Sequence, residues 1–320
     1  MLRIALVVAA LTSAGTAEAG VIDLGSMMGG ANIYTLGNFS ARYSDVEGAV
    51  VSGGNVDIAS YSINAERQAA FGNHAIVAQG DIKLSSGSIN HGQIYAGGKT
   101  TLEHAARPQS TSASPVDFAA ASAYYLSLSE DLAKLEASGS VSTLWSGVRV
   151  SGSGKGDVDV FNVSADMFRT SSSWSLDNLV AGQTLIFNVS GNSATFNDGG
   201  ISFEPLRNYN VLFNFPDAIT LNLKGIIGSV LAPKAAVTAN WGVINGQLVV
   251  NSWDSTIQVN AKNYFAPIEL AGFRDIVAAP PMTDVPEPGT LALMLAGAAM
   301  AVAGRRKARK ERVQAPGLAA

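Results

Sequence analysis

A glycine-punctuated unit recurs along this chain. Gly48-Ala49-Val50-Val51-Ser52-Gly53-Gly54 runs into Asn55-Val56-Asp57-Ile58. His74-Ala75-Ile76-Val77-Ala78-Gln79-Gly80 runs into Asp81-Ile82-Lys83-Leu84, and Gly92-Gln93-Ile94-Tyr95-Ala96-Gly97-Gly98 into Lys99-Thr100-Thr101-Leu102. The opening returns late, in Gly228-Ser229-Val230-Leu231-Ala232-Pro233 and Gly246-Gln247-Leu248-Val249-Val250-Asn251. Gly80 and Gly98 lie 18 residues apart, as do Gly228 and Gly246, whereas the 26 residues from Gly54 to Gly80 imply an insertion. Each unit is a β-branched run, a glycine turn and an alternating run. Units that cannot bury an apolar face alone bury it by stacking on a neighbour. The expected class is mainly β, a β-helix or solenoid. A sandwich of hairpins is the alternative, and the scarcity of Asn-Gly loops between paired strands speaks against it. After residue 140 strands are expected over Asp157–Val163, Thr184–Val189 and Asn210–Phe215.

One stretch breaks this pattern. Phe118, Ala121, Tyr125, Leu128, Leu132 and Leu135 recur at spacings of three and four, one face of a helix over about 115–138. Ser114 with Pro115 suggests the N-cap and first helical position, and Gly139 the stop. A single apolar stripe places this helix along the solenoid wall.

The ends carry addresses. Arg3, the apolar run Ile4–Leu11 and the small-x-small site Ala17-Glu18-Ala19 form a secretory signal over 1–19, to be cut by signal peptidase. At the other end Val285-Pro286-Glu287-Pro288 precedes an uncharged run, Leu291–Ala303, and a basic cluster containing Arg305, Arg306 and Lys307. Basic residues beside an apolar span stay cytoplasmic, so the body before it lies outside. The run is shorter than the ~20 residues of an ordinary span. The expected division is 1–19 signal, 20–278 body, and 279–320 linker plus tail.

Charge narrows the partners. The chain holds 21 Lys+Arg and 25 Asp+Glu. Without the two ends, residues 20–284 keep 14 cationic and 22 acidic residues, a formal −8. Nucleic acid is therefore excluded as an expected partner, since phosphate contacts call for a basic face. The absence of Cys removes disulfides, thiolate nucleophiles and Cys-based metal sites. With 14% charged and 47% hydrophobic residues the chain is not of disordered type.

The C-terminal tail, with Pro286, Glu287 and Pro288 followed by the apolar run and basic cluster, closely resembles the PEP-CTERM sorting signal of Gram-negative bacteria. That resemblance implies recognition by an exosortase, removal of the tail, a transient inner-membrane anchor, and delivery to the cell surface or extracellular matrix. The body resembles the choice-of-anchor A family. The residues that carry this likeness include Leu36-Gly37-Asn38-Phe39-Ser40, Ser44-Asp45-Val46-Glu47-Gly48, Val51-Ser52-Gly53-Gly54-Asn55-Val56, Asn210–Asn222, Ser229–Val237 and Ile244-Asn245-Gly246-Gln247-Leu248. The family is regarded as surface or adhesin-like and implies no catalytic residues. The order of β-coils, helix and β-coils is similar to that of ice-binding solenoids at the level of fold.

Candidate chemistry is sparse. His74, His91 and His104 sit in or near three early units, where stacking could pair His74 with His91 on a metal, yet no metal-ligand spacing supports it. Asp45 with Glu47, and Asp157 with Asp159, share strand faces, by default solvated ones. No Gly-x-Ser-x-Gly elbow and no phosphate loop is present. The expectation is no catalytic residues, no metal and no cofactor. Trp241 and Trp253 are the candidate glycan contacts, because an exposed indole can stack on a sugar. The leading reading is a non-enzymatic adhesin or matrix component associated with exopolysaccharide and biofilm. The alternatives are a polysaccharide lyase or hydrolase and an ice-binding-like surface, which needs a regular Thr face.

Overall fold

The computed structural model describes residues 19–105, 107–169, 171–196 and 202–274. All of them belong to the first of two compact units, 1–278 and 279–320. The fold is mainly β, with 24 strands and one helix longer than a single turn among the described residues. Nineteen strands form one large sheet, and every pairing between them is parallel. Hairpins do not build this sheet.

The strands stack in three rows. In the first row the order is Val158–Ser164, Thr184–Ser190, Asn210–Asn214, the start of Ser229–Ala239, the start of Leu248–Ser255, Ile33–Thr35, Val50–Ser52, His74–Ala78 and Gln93–Ala96. The repeat read in the sequence is the register. Ile76 pairs Ile94, Val230 pairs Leu248, and Val56 pairs Ile82, spacings of 18, 18 and 26. The chain therefore enters in mid-stack. It climbs from Ile33 to one end, returns, restarts at Val158 at the other end, and rejoins where Leu248 pairs Ile33.

Helix α1, Phe118–Leu132, spans the gap between the two climbs. Side chains of the first row alternate. Ile33, Val50, Ile76, Val230 and Leu248 point into the inner core with Phe39, Phe187 and Phe213. Tyr34, Val51, Val77, Leu231 and Val249 point outward and meet Phe118, Ala121, Tyr125, Leu128 and Leu132 of α1. The stripe is as expected, but the ends differ. Asp117 is the N-cap, its carboxylate accepting from the Ala120 N–H at 3.0 Å. Ser114 instead closes a local turn with Val116. The helix stops at Leu132, well before Gly139, whose Cα lies against the Phe161 ring so closely that a Cβ would sit 2.2 Å from it.

An outward asparagine ladder ties down the last turn of α1. Asn214 donates to Ser129 O at 2.9 Å and to Asn188 Oδ1 at 2.9 Å, and Asn188 donates to Leu132 O at 2.7 Å. Both carbonyls also accept from the backbone, Ser129 O from Ala133 N at 3.2 Å and Leu132 O from Leu135 N at 3.1 Å, so the sheet adds a second bond to each.

A second ladder explains the Gly-Asx repeat. Asn38 Oδ1 accepts from Asn55 N at 2.9 Å, Asn55 Oδ1 from Asp81 N at 2.8 Å, and Asp81 Oδ1 from Lys99 N at 2.7 Å. Gly54, Gly80 and Gly98 leave room for these side chains, since a Cβ there would lie 2.4, 2.1 and 2.0 Å from the three oxygens. The first turn into the second row is therefore stitched unit to unit by charge-free or charge-assisted side-chain bonds.

Finally, Ala19–Ile22 pairs antiparallel with Ile268–Ala271, so both ends of the described body emerge side by side. Asp131 of α1 accepts from Arg274 at 2.6 Å, fixing the last described residue to the helix.

Candidate adhesive surface

The sheet leaves two rows to solvent. In the second row Thr238, Asp254, Ser40, Asp57, Lys83 and Thr101 stand in register on its outward side. Parallel strands lie ~4.8 Å apart, so this column is regular in spacing. Its chemistry is mixed: of these six only Thr238 and Thr101 are threonine, and beyond Thr238 the row continues through Asn222 to Thr195. Arg42 and Asp57 form an ion pair on the same face at 3.4 Å, both 42% exposed.

The third row is polar as well. Asn260 donates to Asn245 Oδ1 at 2.9 Å, and Glu47 Oε2 accepts from Ala261 N at 2.9 Å. Burial, reinforced by the neighbouring Glu47 charge, pushes the Asp45 carboxyl above its usual range.

The candidate residues separate. Trp241 is 63% exposed in the turn between Ser229–Ala239 and Val243–Asn245, with Lys224 Nζ 5.0 Å from its ring centroid. Trp253 is 1% exposed and stacks on Phe39 inside the core, centroids 6.1 Å apart and planes within 8°. Trp253 is therefore corrected from candidate glycan contact to core residue. The cause is period two: Trp253 and Ser255 face inward on either side of outward Asp254. Ala17, Pro286, Glu287, Pro288, Arg305, Arg306 and Lys307 lie outside the described residues, and Ala19 begins the first strand.

Asp159 also departs from expectation. It is fully buried rather than on a solvated face, and accepts from Ser138 Oγ at 2.8 Å, Ser153 N at 2.9 Å and Gln183 Nε2 at 2.7 Å. Burial pushes its carboxyl up, but these donors outweigh that and hold it below the ordinary carboxylate range. Asp157 stays exposed. His74 contacts Thr111 Oγ1 at 3.2 Å and Gln93 Nε2 at 3.4 Å, and burial lowers its imidazole. Among the described residues no group of three His, Cys, Asp or Glu could hold a metal.

Sequence reasoning missed two exposed aromatics. Tyr43 is 78% exposed and Trp145, at the tip of the hairpin Ser140–Leu144/Gly147–Ser151, is 95% exposed. Both have positive φ, 57° and 61°. Bulky residues rarely adopt this region, so nothing in the local sequence signalled a turn.

A cleft of ≈ 370 Å³ opens beside the helix end, lined by Ala133, Asn162, Asn188, Ser190 and Asp217 among others. It offers one carboxylate and amides already engaged in the asparagine ladder. Among the described residues no helix is long and apolar enough to cross a membrane.

Residues 26–261 match the family model described as Putative Ice-binding-like adhesive domain. The chain belongs to this family. Residues 284–310 match the PEP-CTERM protein-sorting motif. This adhesive-domain chain is thereby an exported surface protein with an exosortase sorting signal. No curated protein and no solved structure matches it.

Proposed function

We propose that this protein is a non-enzymatic adhesin or matrix component that binds exopolysaccharide at the cell surface. The observation that carries the reading is the pairing of an adhesive domain over 26–261 with a sorting signal over 284–310. The parallel rows are read as the coils of a β-solenoid, and the body as a choice-of-anchor A domain. Signal peptidase removes 1–19 and an exosortase removes the tail, leaving the body in the extracellular matrix or biofilm. Long polar rows then offer many weak contacts in parallel, which sum to firm attachment to a repetitive polymer. The mixed second row supports this over an ice-binding surface, because Asp254, Asp57 and Lys83 interrupt the column between Thr238 and Thr101.

The test is cosedimentation of the purified protein with the producing organism's exopolysaccharide. Saturable binding with unchanged polymer length is expected. No binding would overturn the polysaccharide reading. Shortening of the polymer would establish the alternative, a polysaccharide-active enzyme.

A further inference from the structure

The turn between the second and third rows forms one edge of the stack, and the pairs on either side fix which turns lie on one another. Ala239 pairs Ser255 and Val243 pairs Gln258, so the three turn residues 240–242 lie over the two turn residues 256–257, with Thr256 bonded to Asn240 O beside Trp241. Ser255 pairs Ala41 and Val259 pairs Val46, so the turn over 256–258 lies in turn over 42–45, which holds Tyr43. Arg42 pairs Ala59, and Ala59 pairs Ser85, which continues the edge through Ser60 and Ser86. Trp241 and Tyr43 therefore share one edge, two steps apart. At ~4.8 Å per step their separation along the stack is about 10 Å.

We propose that this edge is a track for a neutral, extended β-1,4-linked polysaccharide, with one pyranose ring on Trp241 and the next but one on Tyr43. The proposal rests on the adhesive reading above and names its ligand class. Three observations lead to it. First, both rings stand in solvent, at 63% and 78% exposure, on a body whose other large aromatics are mostly buried. Second, Lys224 sits 5.0 Å from the Trp241 centroid, a cation–π contact that orients the ring while most of it stays exposed. Third, Tyr43 holds φ 57° at an edge position where the following steps carry Ser60 and Ser86 at φ 50° and 63°. An aromatic is costly there and the small residues serve the turn, so the fold itself does not call for Tyr43.

The linkage follows from geometry. In an extended β-1,4 chain each ring is turned about half a revolution from the last, so alternate rings show the same face. Their spacing, two ring lengths, matches two steps of the stack at about 10 Å. Thr256 belongs to the turn between those of the two aromatics, its hydroxyl donating to Asn240 O and retaining lone pairs for the intervening sugar. Chains with α-1,4 linkages coil and would leave the second aromatic. A polyanion is disfavoured by the formal −8 of residues 20–284.

The experiment measures partition isotherms of the purified protein on insoluble cellulose and chitin, with an insoluble α-1,4-linked glucan as comparison. Saturable binding to at least one β-1,4 polymer, and none to the α-glucan, is expected. Trp241→Ala and Tyr43→Ala should each weaken it at least tenfold, while Trp241→Phe and Tyr43→Phe keep most of it. Thermal midpoints should stay within a degree or so of wild type, since both side chains are exposed. Equal binding to the α-glucan, or unchanged isotherms for both alanine variants, would overturn the track. Retention on the organism's own exopolysaccharide but on neither β-1,4 polymer would also overturn it, while leaving the adhesive reading standing. Loss on all of these polymers would remove both.

Discussion

Replacing Gly87 by alanine should unfold this protein far more readily than the same change at Gly72. Gly87 has φ +118° and lies at the edge where the Ser86 step stacks on Ser60. A Cβ there would meet Tyr61 O at 2.1 Å and Tyr61 N at 2.7 Å, both backbone atoms that cannot swing away. The unfavourable backbone conformation costs ~1–3 kcal/mol. Relieving the contact forces two paired strands apart and forfeits one or two backbone hydrogen bonds, each worth about 1 kcal/mol. The expected total is about 2–5 kcal/mol. Gly72 has φ +83° and nothing within 4 Å of its Cβ direction, so only the conformational cost of ~1–2 kcal/mol remains. Urea midpoints at constant slope provide the assay. Equal shifts for the two variants would refute the view that parallel stacking at this edge demands glycine.

Three further outcomes follow from the buried groups. Asp159→Asn puts an amide N–H where three donors converge, and should cost about 1–3 kcal/mol at pH 7. Because the native carboxyl is held low, its contribution is present above the unfolded value of about 3.9 and fades as pH falls through the native one. The variant should therefore lose less stability than wild type on acidification below about pH 4, as thermal midpoints across pH would reveal. Asn214→Ala removes the donor to Ser129 O and strands the Ser129 hydroxyl, for about 2 kcal/mol and faster hydrogen exchange in the last turn of α1. Trp253→Ala should cost ~3–5 kcal/mol whereas Trp241→Ala should stay within ~0.5, a contrast that denaturant titration resolves.

The repeat made the pairing register legible, because a unit that stacks on its successor must keep its length. Ile76 and Ile94, or Val230 and Leu248, are spaced by that length. The order of the stack was not legible. Leu248 pairs Ile33 across more than 200 residues, and such a contact leaves no local pattern. Helix α1 announced its buried face through its stripe, but its cap depended on which of Ser114 and Asp117 the chain could aim at a free N–H. Trp253 lies in the strand Leu248–Ser255, where alternation decides its side, and the phase of that alternation is set by pairing rather than by the residues beside it. Asp159 looked like a partner of exposed Asp157. Its donors come from Ser138, Ser153 and Gln183, residues that only the fold assembles. Tyr43 and Trp241 share an edge for the same reason: their nearness is a property of the register.

The central claim is that an adhesive body is handed to the cell surface by its C-terminal signal. The most direct measurement is fractionation and surface labelling of intact producing cells. It compares wild type with a variant carrying Pro286→Ala, Glu287→Ala and Pro288→Ala. The wild-type body should be recovered at the surface and in the matrix without residues 305–312, and the variant should remain in the envelope with its tail attached. Identical distribution and tail length in the two strains would contradict the account.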